Sequence, residues 1–316
     1  MNIKSICILG GTGFVGRHLA TRLANRGYQI KVLTRHPQRH RDIELLPGAQ
    51  LVGADVHDPA VLQAQFAHCD AVINLVGILH EGSGQTFAAV HAELPDKVAD
   101  ACRAAGVKRL LHMSALRADP TKGPSQYLLT KGAGEQKVLR ARGLAVTCFK
   151  PSIIFAPNDS FFNQFANLLK FSSVLPLACP NSRFAPVYVG DVVAAFEKAL
   201  ADETTVGQSY ELCGPRVYTL KELVEDIAQM LGLKRRVVGL PDTLARLQAK
   251  IFGMLPVKIF TMDNYLSLQV DSVCDSNGLK ALGITPRSVE GIMGPYFGNQ
   301  TQRQRYDALR QAAGRD

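Results

Sequence analysis

Tyr127 and Lys131 stand four residues apart in a stretch whose apolar spacing predicts a helix over 126–142, so a phenol and an ammonium share one face. A cation beside a phenol favours the phenolate, which moves the tyrosine toward a pKa at which it can give or take a proton at a carbonyl or an alcohol. Ser114 lies 13 residues before Tyr127 and ends a predicted strand, placed to hydrogen-bond the reacting oxygen. Such a Tyr–Lys pair is commonplace on exposed helices, and it gains meaning only from what lies upstream.

Upstream, Gly10-Gly11-Thr12-Gly13-Phe14-Val15-Gly16 follows a short apolar run and opens a helical one. In a strand-turn-helix setting these glycines let the backbone turn sharply, bring its amides to a pyrophosphate and pack helix on strand. The helix N-terminus adds orphan N–H groups and the positive end of its dipole. NAD-selective sites place an Asp or Glu about 20 residues on, at the end of the second strand. Here that strand ends Val32-Leu33-Thr34-Arg35. A guanidinium suits a 2′-phosphate, so Arg35, helped by Arg39, points to NADP(H), with NAD(H) as the alternative. Asp55, ending the third strand, either accepts from the adenine amine or caps a turn.

The elements that must position these groups alternate. Strands are predicted over 3–9, 29–34, 50–53, 71–76, 109–114 and 145–149, and helices over 14–25, 59–67, 87–105 and 126–142, with Gly27, Gly106 and Gly143 as C-caps. That order gives an α/β class: a Rossmann-type doubly wound parallel sheet, followed by a smaller, mostly helical C-terminal region for substrate or partner. The expected division is 1–155, joined by parts of 185–215, and 156–316. Further helices are expected over 161–171, from Asp191 to Leu200 with Asp191 as N-cap, from Thr219 to Leu231 with Glu222 as capping-box partner, and from Asp242.

Composition narrows the classes. The chain of 316 residues is 47% hydrophobic, enough for a large core, and holds no apolar run of membrane-spanning length or secretory leader, which predicts a cytoplasmic protein. Its seven cysteines are scattered without C-x-x-C spacing, so reduced, mostly buried thiols are expected, with neither zinc nor a disulfide scaffold. The net charge of +9 comes without tryptophan or a basic stretch interleaved with aromatics, so no nucleic acid is expected. His80, Glu81 and His91 lack metal-ligand spacing and read as surface loop residues; no metal is expected. The stretch 244–260 mixes Leu, Ile, Phe and Met with Arg246, Lys250 and Lys258, which suits packing onto its own domain, an anionic membrane or a partner being the alternatives. Arg303, Arg305, Arg310 and Arg315 make the last segment basic, as in a surface helix.

With these residues in place the chain resembles extended and atypical members of the short-chain dehydrogenase/reductase superfamily, through Gly10-x-x-Gly13-x-x-Gly16, Thr34-Arg35, Asp55, Ser114 and Tyr127-x-x-x-Lys131. More narrowly it is similar to bacterial relatives of the nucleotide-binding accessory subunit of respiratory complex I, through Lys150-Pro151-Ser152, Ala185-Pro186-Val187-Tyr188-Val189 and Tyr210-Glu211-Leu212-x-Gly214-Pro215. The likeness implies that Val56, Val76, Gly77 and Pro151 join the glycine turn, Tyr127 and Lys131 at the cofactor. It departs at Val90-His91-Ala92, where the wider family often carries Asn. Two functions follow: an NADP(H)-dependent oxidoreductase or epimerase acting on a small molecule, or an accessory protein that holds NADP(H) tightly beside a respiratory-complex or membrane-surface partner, peripheral at the inner face of a membrane.

Overall fold

β1 (Ser5–Leu9) is buried at every position after its first, because it lies inside a sheet whose two faces are covered by helices. The computed structural model describes residues 3–82, 84–255 and 260–298. In chain order there follow α1 (Phe14–Asn25), β2 (Gln29–Thr34), β3 (Ala49–Gly53), α2 (Pro59–Phe66), β4 (Ala71–Asn74), α3 (Leu94–Ala104), β5 (Arg109–Met113), α4 (Gln126–Leu139) and β6 (Ala145–Pro151). The chain continues through β7 (Ile154–Phe155), α5 (Ser160–Phe171), β8 (Val174–Leu177), β9 (Arg183–Phe184), β10 (Val187–Tyr188), α6 (Val189–Ala201) and β11 (Ser209–Leu212). It ends with β12 (Tyr218–Thr219), α7 (Leu220–Met230), β13 (Arg236–Gly239), α8 (Asp242–Gly253), α9 (Met262–Ser267), α10 (Gly278–Ala281) and α11 (Val289–Gly298).

Seven strands pair in the order β3-β2-β1-β4-β5-β6-β11, all parallel. One face packs Ile6, Ile8 and Val32 against Leu19 and Leu23 of α1 and Val192 and Phe196 of α6. The other packs Cys7, Leu9 and Val72 against Phe66 of α2, Val98 of α3 and Val138 of α4. Phe162, Leu223, Ile227 and Phe297 build a separate core under the C-terminal helices, where only two-stranded pairs form.

Several sequence expectations need correction. The helix expected over 87–105 divides into a π-turn over Ala88–Glu93 and α3, and such turns often mark functional positions. Asp191 is not an N-cap: β10 runs straight into α6, so Tyr188 takes that place, and the buried Asp191 carboxylate accepts from the Arg287 N–H at 2.8 Å. The cysteines are not all thiols. Cys213, just past β11, and Cys274 form a disulfide with Cα atoms 6.0 Å apart, a pairing that a sequence separation of 61 hides from any reading of spacing. Cys7, Cys69, Cys102 and Cys148 are buried free thiols. The capping box of Thr219 and Glu222 forms at the start of α7. Arg303, Arg305, Arg310, Arg315 and Lys258 lie outside the described residues.

Arg109, at the other end of β5 from Ser114, is 1% exposed, with the charges of Asp202 and Glu203 acting on it from the turn after α6. Its guanidinium donates to Ala145 O, Thr147 Oγ1, Ala199 O and Thr205 Oγ1 at 2.7–2.9 Å, joining β5, β6 and the end of α6. Burial lowers its pKa to about 10, which still leaves it charged at neutral pH. Arg109→Ala removes four hydrogen bonds from a charged donor, each worth about 1–3 kcal/mol, so urea unfolding should show a loss of about 3 kcal/mol or more; a loss under about 1 kcal/mol would sink the assignment.

Candidate functional site

Gly10 takes φ +75°, and its carbonyl accepts from the Gly13 N–H at 3.0 Å, which closes the turn between β1 and α1. A Cβ on Gly16 would lie 2.2 Å from Gly10 O, so helix and turn touch through backbone alone. α1 has no side-chain cap and no acid in its first turn, leaving its leading N–H groups to an outside anion. The turn also abuts the end of β4: a Cβ on Gly10 would stand 3.0 Å from Val76 N. The uncapped leading amides of α1 fit a dinucleotide pyrophosphate, and any larger residue at Gly10 or Gly16 would collide with the backbone that shapes the turn. Thr12 gives its carbonyl to Arg17 Nε at 3.0 Å, and Arg17 reaches on to His40 and Asp42, tying the turn to the loop after β2. Sequence reading missed Arg17, whose place one helical turn past Gly13 was the available signal. Phe14 and Val15 are partly buried and pack on the core.

Arg35 and Asp55 line one cavity of about 670 Å³ with His57, Gln85, Ala89 and Val90. The ends of β2 and β3 are thus brought together, as a cofactor's adenosine end requires. Asp55 Oδ1 accepts from the His57 N–H at 2.9 Å, which is the turn-capping alternative. Arg39 sits exposed in the 3-10 turn Pro37–Arg39 and is not among the residues lining that cavity. Val56 is buried in the core, and Pro151 ends β6 with its carbonyl accepting from Leu116 N at 3.0 Å.

α4 carries Tyr127 and Lys131. Ser125 caps it, and the C-terminal region supplies a second cap: Asp263 of α9 accepts from Gln126 N at 2.7 Å and Tyr127 N at 3.3 Å, and Ser267 Oγ donates to Ser125 Oγ at 2.8 Å. Lys131 is buried and donates to Met113 O at 3.0 Å; burial lowers its pKa to about 8. Its Nζ is 3.3 Å from where a Cβ on Gly77 would be, so the Tyr–Lys helix meets the β4 end beside the glycine turn. Burial, with Asp263 adding its charge, pushes Tyr127 up to about 12. Both groups are therefore held toward their neutral forms.

Ser114 is buried, and its hydroxyl donates to Glu135 Oε2 at 2.7 Å. Glu135, one turn below Lys131, also accepts from Ser209 Oγ at 2.8 Å and faces Lys150 Nζ at 3.8 Å. No sequence signal singled it out except its i+4 spacing from Lys131.

His91 is not a surface residue. The π-turn buries it to 1% exposure, its ring lies 5.3 Å from that of Tyr127, its Nε2 accepts from the Ile78 N–H at 3.0 Å, and its Nδ1 lies 3.3 Å from Thr130 Oγ1. A Cβ on Gly134 would fall 1.9 Å from His91 O, so α4 and the π-turn meet backbone to backbone. Glu81 accepts from the Phe87 N–H at 2.7 Å, steadying the loop before the turn. Asn74 accepts from Val76 N at 3.1 Å and sits 3.4 Å from buried His112 Nδ1, serving the strand end as a polar anchor. Among the described residues no group of three or more His, Cys, Asp or Glu is placed to hold a metal ion, and no helix is long and apolar enough to cross a membrane.

Residues 10–160 match the family described as NAD(P)H-binding. The chain is 32% identical over 302 residues to the mitochondrial NADH dehydrogenase (ubiquinone) 1 alpha subcomplex subunit 9 of Arabidopsis thaliana, covering 90% of this chain and 75% of that one. It is 31% identical over 242 residues to a ceramide reductase of Caulobacter vibrioides, covering 75% and 74% of the two chains. The dTDP-glucose 4,6-dehydratase of Streptomyces venezuelae, solved with NAD bound, shares the fold with a TM-score of 0.74 at 18% identity, over 96% of this chain and 99% of that one.

Burial, followed by the charge of Lys131, lowers both His91 and His112 to about 3. Between that value and the ordinary 6.5 the unfolded chain binds protons that the folded chain does not. Their contribution is fully present above pH 6.5 and fades as pH falls, by about 2 kcal/mol per histidine at pH 5. Urea unfolding at pH 7 and pH 5 should therefore show a difference that His91→Asn reduces by about 2 kcal/mol; an unchanged difference would refute the buried neutral imidazole.

Proposed function

The chain belongs to the NAD(P)H-binding short-chain dehydrogenase/reductase superfamily, and from that footing we propose that it binds NADP(H) in preference to NAD(H), with Tyr127 and Lys131 serving proton transfer at a carbonyl or alcohol. The observation that carries this reading is the meeting of the Tyr127–Lys131 helix with Gly77, beside the glycine turn. Backbone amides from Gly10 through Gly16 take the pyrophosphate, Val76 and Gly77 border the cofactor, and Asp55 serves the adenine. Arg35 supports the NADP(H) preference because its fork of donors, in the same cavity as Asp55, suits a 2′-phosphate and offers nothing to a ribose hydroxyl. Arg39, outside that cavity lining, adds positive potential.

When bound, the nicotinamide gives or takes the hydride. Tyr127 holds its proton at neutral pH and can donate it to a carbonyl oxygen; the Lys131 ammonium then steadies the phenolate and orients the ribose. Ser114 gives its hydroxyl to Glu135, so we assign it the positioning of the strand end and leave polarisation of the substrate oxygen to Tyr127. Reduction, oxidation or epimerisation through a keto intermediate all suit this set. We further propose the division into residues 1–155 with parts of 185–215, and 156–316, the second part closing over the first through α9.

A second reading has its own support. Val270 and Tyr127 pack on the same small cluster around Leu128, and Asp263 caps the helix N-terminus, so the C-terminal region closes on the helix that carries the phenol, as suits a protein that holds its cofactor without turnover. The complex I subunits among the relatives favour a respiratory-complex or membrane-surface partner and a cytoplasmic protein peripheral at the inner face of a membrane.

Thermal unfolding with NADPH, NADH or neither tests the cofactor assignment: a larger rise with NADPH is expected, and Arg35→Ala should cut NADPH affinity about tenfold or more while leaving NADH binding within about twofold. Equal response to both nucleotides in the unaltered protein would remove the role given to Arg35. Tyr127→Phe separates the two functional readings. Oxidation of NADPH by a panel of aldehydes and ketones should fall by about 10²-fold or more with NADPH binding intact if the tyrosine is catalytic, whereas a protein with no turnover to lose fits the second.

A further inference from the structure

α8 inverts the usual burial of an amphipathic helix. Ala245 and Ala249, the small residues, are 1% and 0% exposed, while Leu244, Leu247, Ile251, Met254 and Leu255 stand 42–87% exposed. At about 100° per residue Leu244, Leu247 and Ile251 fall on one face, opposite the two alanines, and Met254 and Leu255 follow just past the helix end. The alanines let α8 sit close on α9, beside Tyr265. Single exposed leucines need no explanation, but a row of five does. Ten of the twelve large exposed hydrophobics among the described residues lie between Leu168 and Leu255, so the asymmetry belongs to this end of the molecule.

Charge accompanies the row. Residues 233–258 carry Lys234, Arg235, Arg236, Arg246, Lys250 and Lys258 against one carboxylate, Asp242, and so hold over half of the chain's net +9. The strand pair that leads into α8 shows the same mixture: Val174 and Pro176 of β8 lie exposed in register with exposed Arg236 and Val238 of β13, while Leu175 and Val237 between them are buried. Phe171, at the end of α5, is 93% exposed.

We propose that the outer face of α8, with the β8–β13 ribbon, is a docking surface for an anionic lipid bilayer. The proposal rests on the peripheral-membrane reading above and supplies the surface for it. α8 is about 18 Å long at 1.5 Å per residue, too short to cross a bilayer but suited to lying in its plane with Leu247 and Ile251 among the acyl chains and Lys250 and Arg236 at the phosphates. Charge selects this occupant over the others. A second copy would bring the same cationic stretch against itself, and the segment 299–316 is itself basic, with Arg303, Arg305, Arg310 and Arg315 against Asp307 and Asp316. Docking would also reach the site: α8 sits on α9, whose Asp263 caps the helix of Tyr127.

The full chain should co-sediment with vesicles of equimolar phosphatidylcholine and phosphatidylglycerol, not with phosphatidylcholine alone, and added salt should release it. The double variant Leu247→Ser/Ile251→Ser should bind about tenfold or more weakly with an unchanged unfolding midpoint, since both side chains are already exposed. Arg236→Glu/Lys250→Glu should weaken binding without touching the apolar row, and gives a second test should the first variant lose its fold. Binding of the intact chain that survives both variants overturns this surface but leaves the peripheral reading standing. An intact chain that binds neither vesicle overturns both. A loss of self-association in the serine variant, read by light scattering, would make the row a contact between copies and overturn the bilayer assignment.

Discussion

α1 carries the chain from β1 outward to β2 and α3 carries it from β4 outward to β5 the other way, so the two helices lie over different strands, and this constraint opens the crevice on which the site depends. The chain runs from β1 outward through β2 and β3, then returns to β4 on the opposite side of β1. Where the order reverses, the carboxyl ends of β1 and β4 are free of a crossing helix, and Gly10 lies against Leu75 and Val76 with no room for a side chain. Arg35, Asp55, Asn74 and Ser114 follow from the same geometry, because each stands at or just past the carboxyl end of a parallel strand.

α4 carries the strain of the arrangement. A lysine ammonium buried against a carbonyl costs several kcal/mol in solvation, and the lowering of Lys131 to about 8 is that cost expressed as a proton affinity. Its nearest compensation is Glu135, four residues on, whose charge raises the same pKa and which Ser114 and Ser209 hold by hydrogen bonds. Asp263 and Ser267 act on the other end, where the positive pole of the helix would otherwise face Tyr127 alone. Two regions of the chain therefore set the protonation of one pair of residues.

Much of this was legible in the sequence because its causes are local. A strand buried on both faces, a glycine turn and a helix start are written within a dozen residues, and the Tyr–Lys spacing within five. The positions of six sheet strands and the Thr219–Glu222 box follow from the same short-range periodicities. What stayed hidden depends on contacts across many residues. The disulfide joins positions 61 apart, Asp191 is claimed by Arg287, and Ser114 is claimed by Glu135, 21 residues on in α4. His91 was misread for a different reason: it was grouped with His80 and Glu81 of the preceding loop, and only the π-turn, which local spacing does not announce, sets it against Tyr127.

α8 shows where local pattern and tertiary outcome part. Its apolar spacing is real, yet periodicity reports only that one face is apolar, not which neighbour receives it. Here a close approach to α9 admits only alanine, so the larger residues turn outward and the burial that ordinarily stabilises a helix of this kind is left unmade in the isolated chain. About 25 cal/mol per Å² of apolar surface then remains to be gained on whatever covers that face. The glycine turn is complete within one chain; this face is not, and the cationic residues around it restrict what can complete it to something negatively charged.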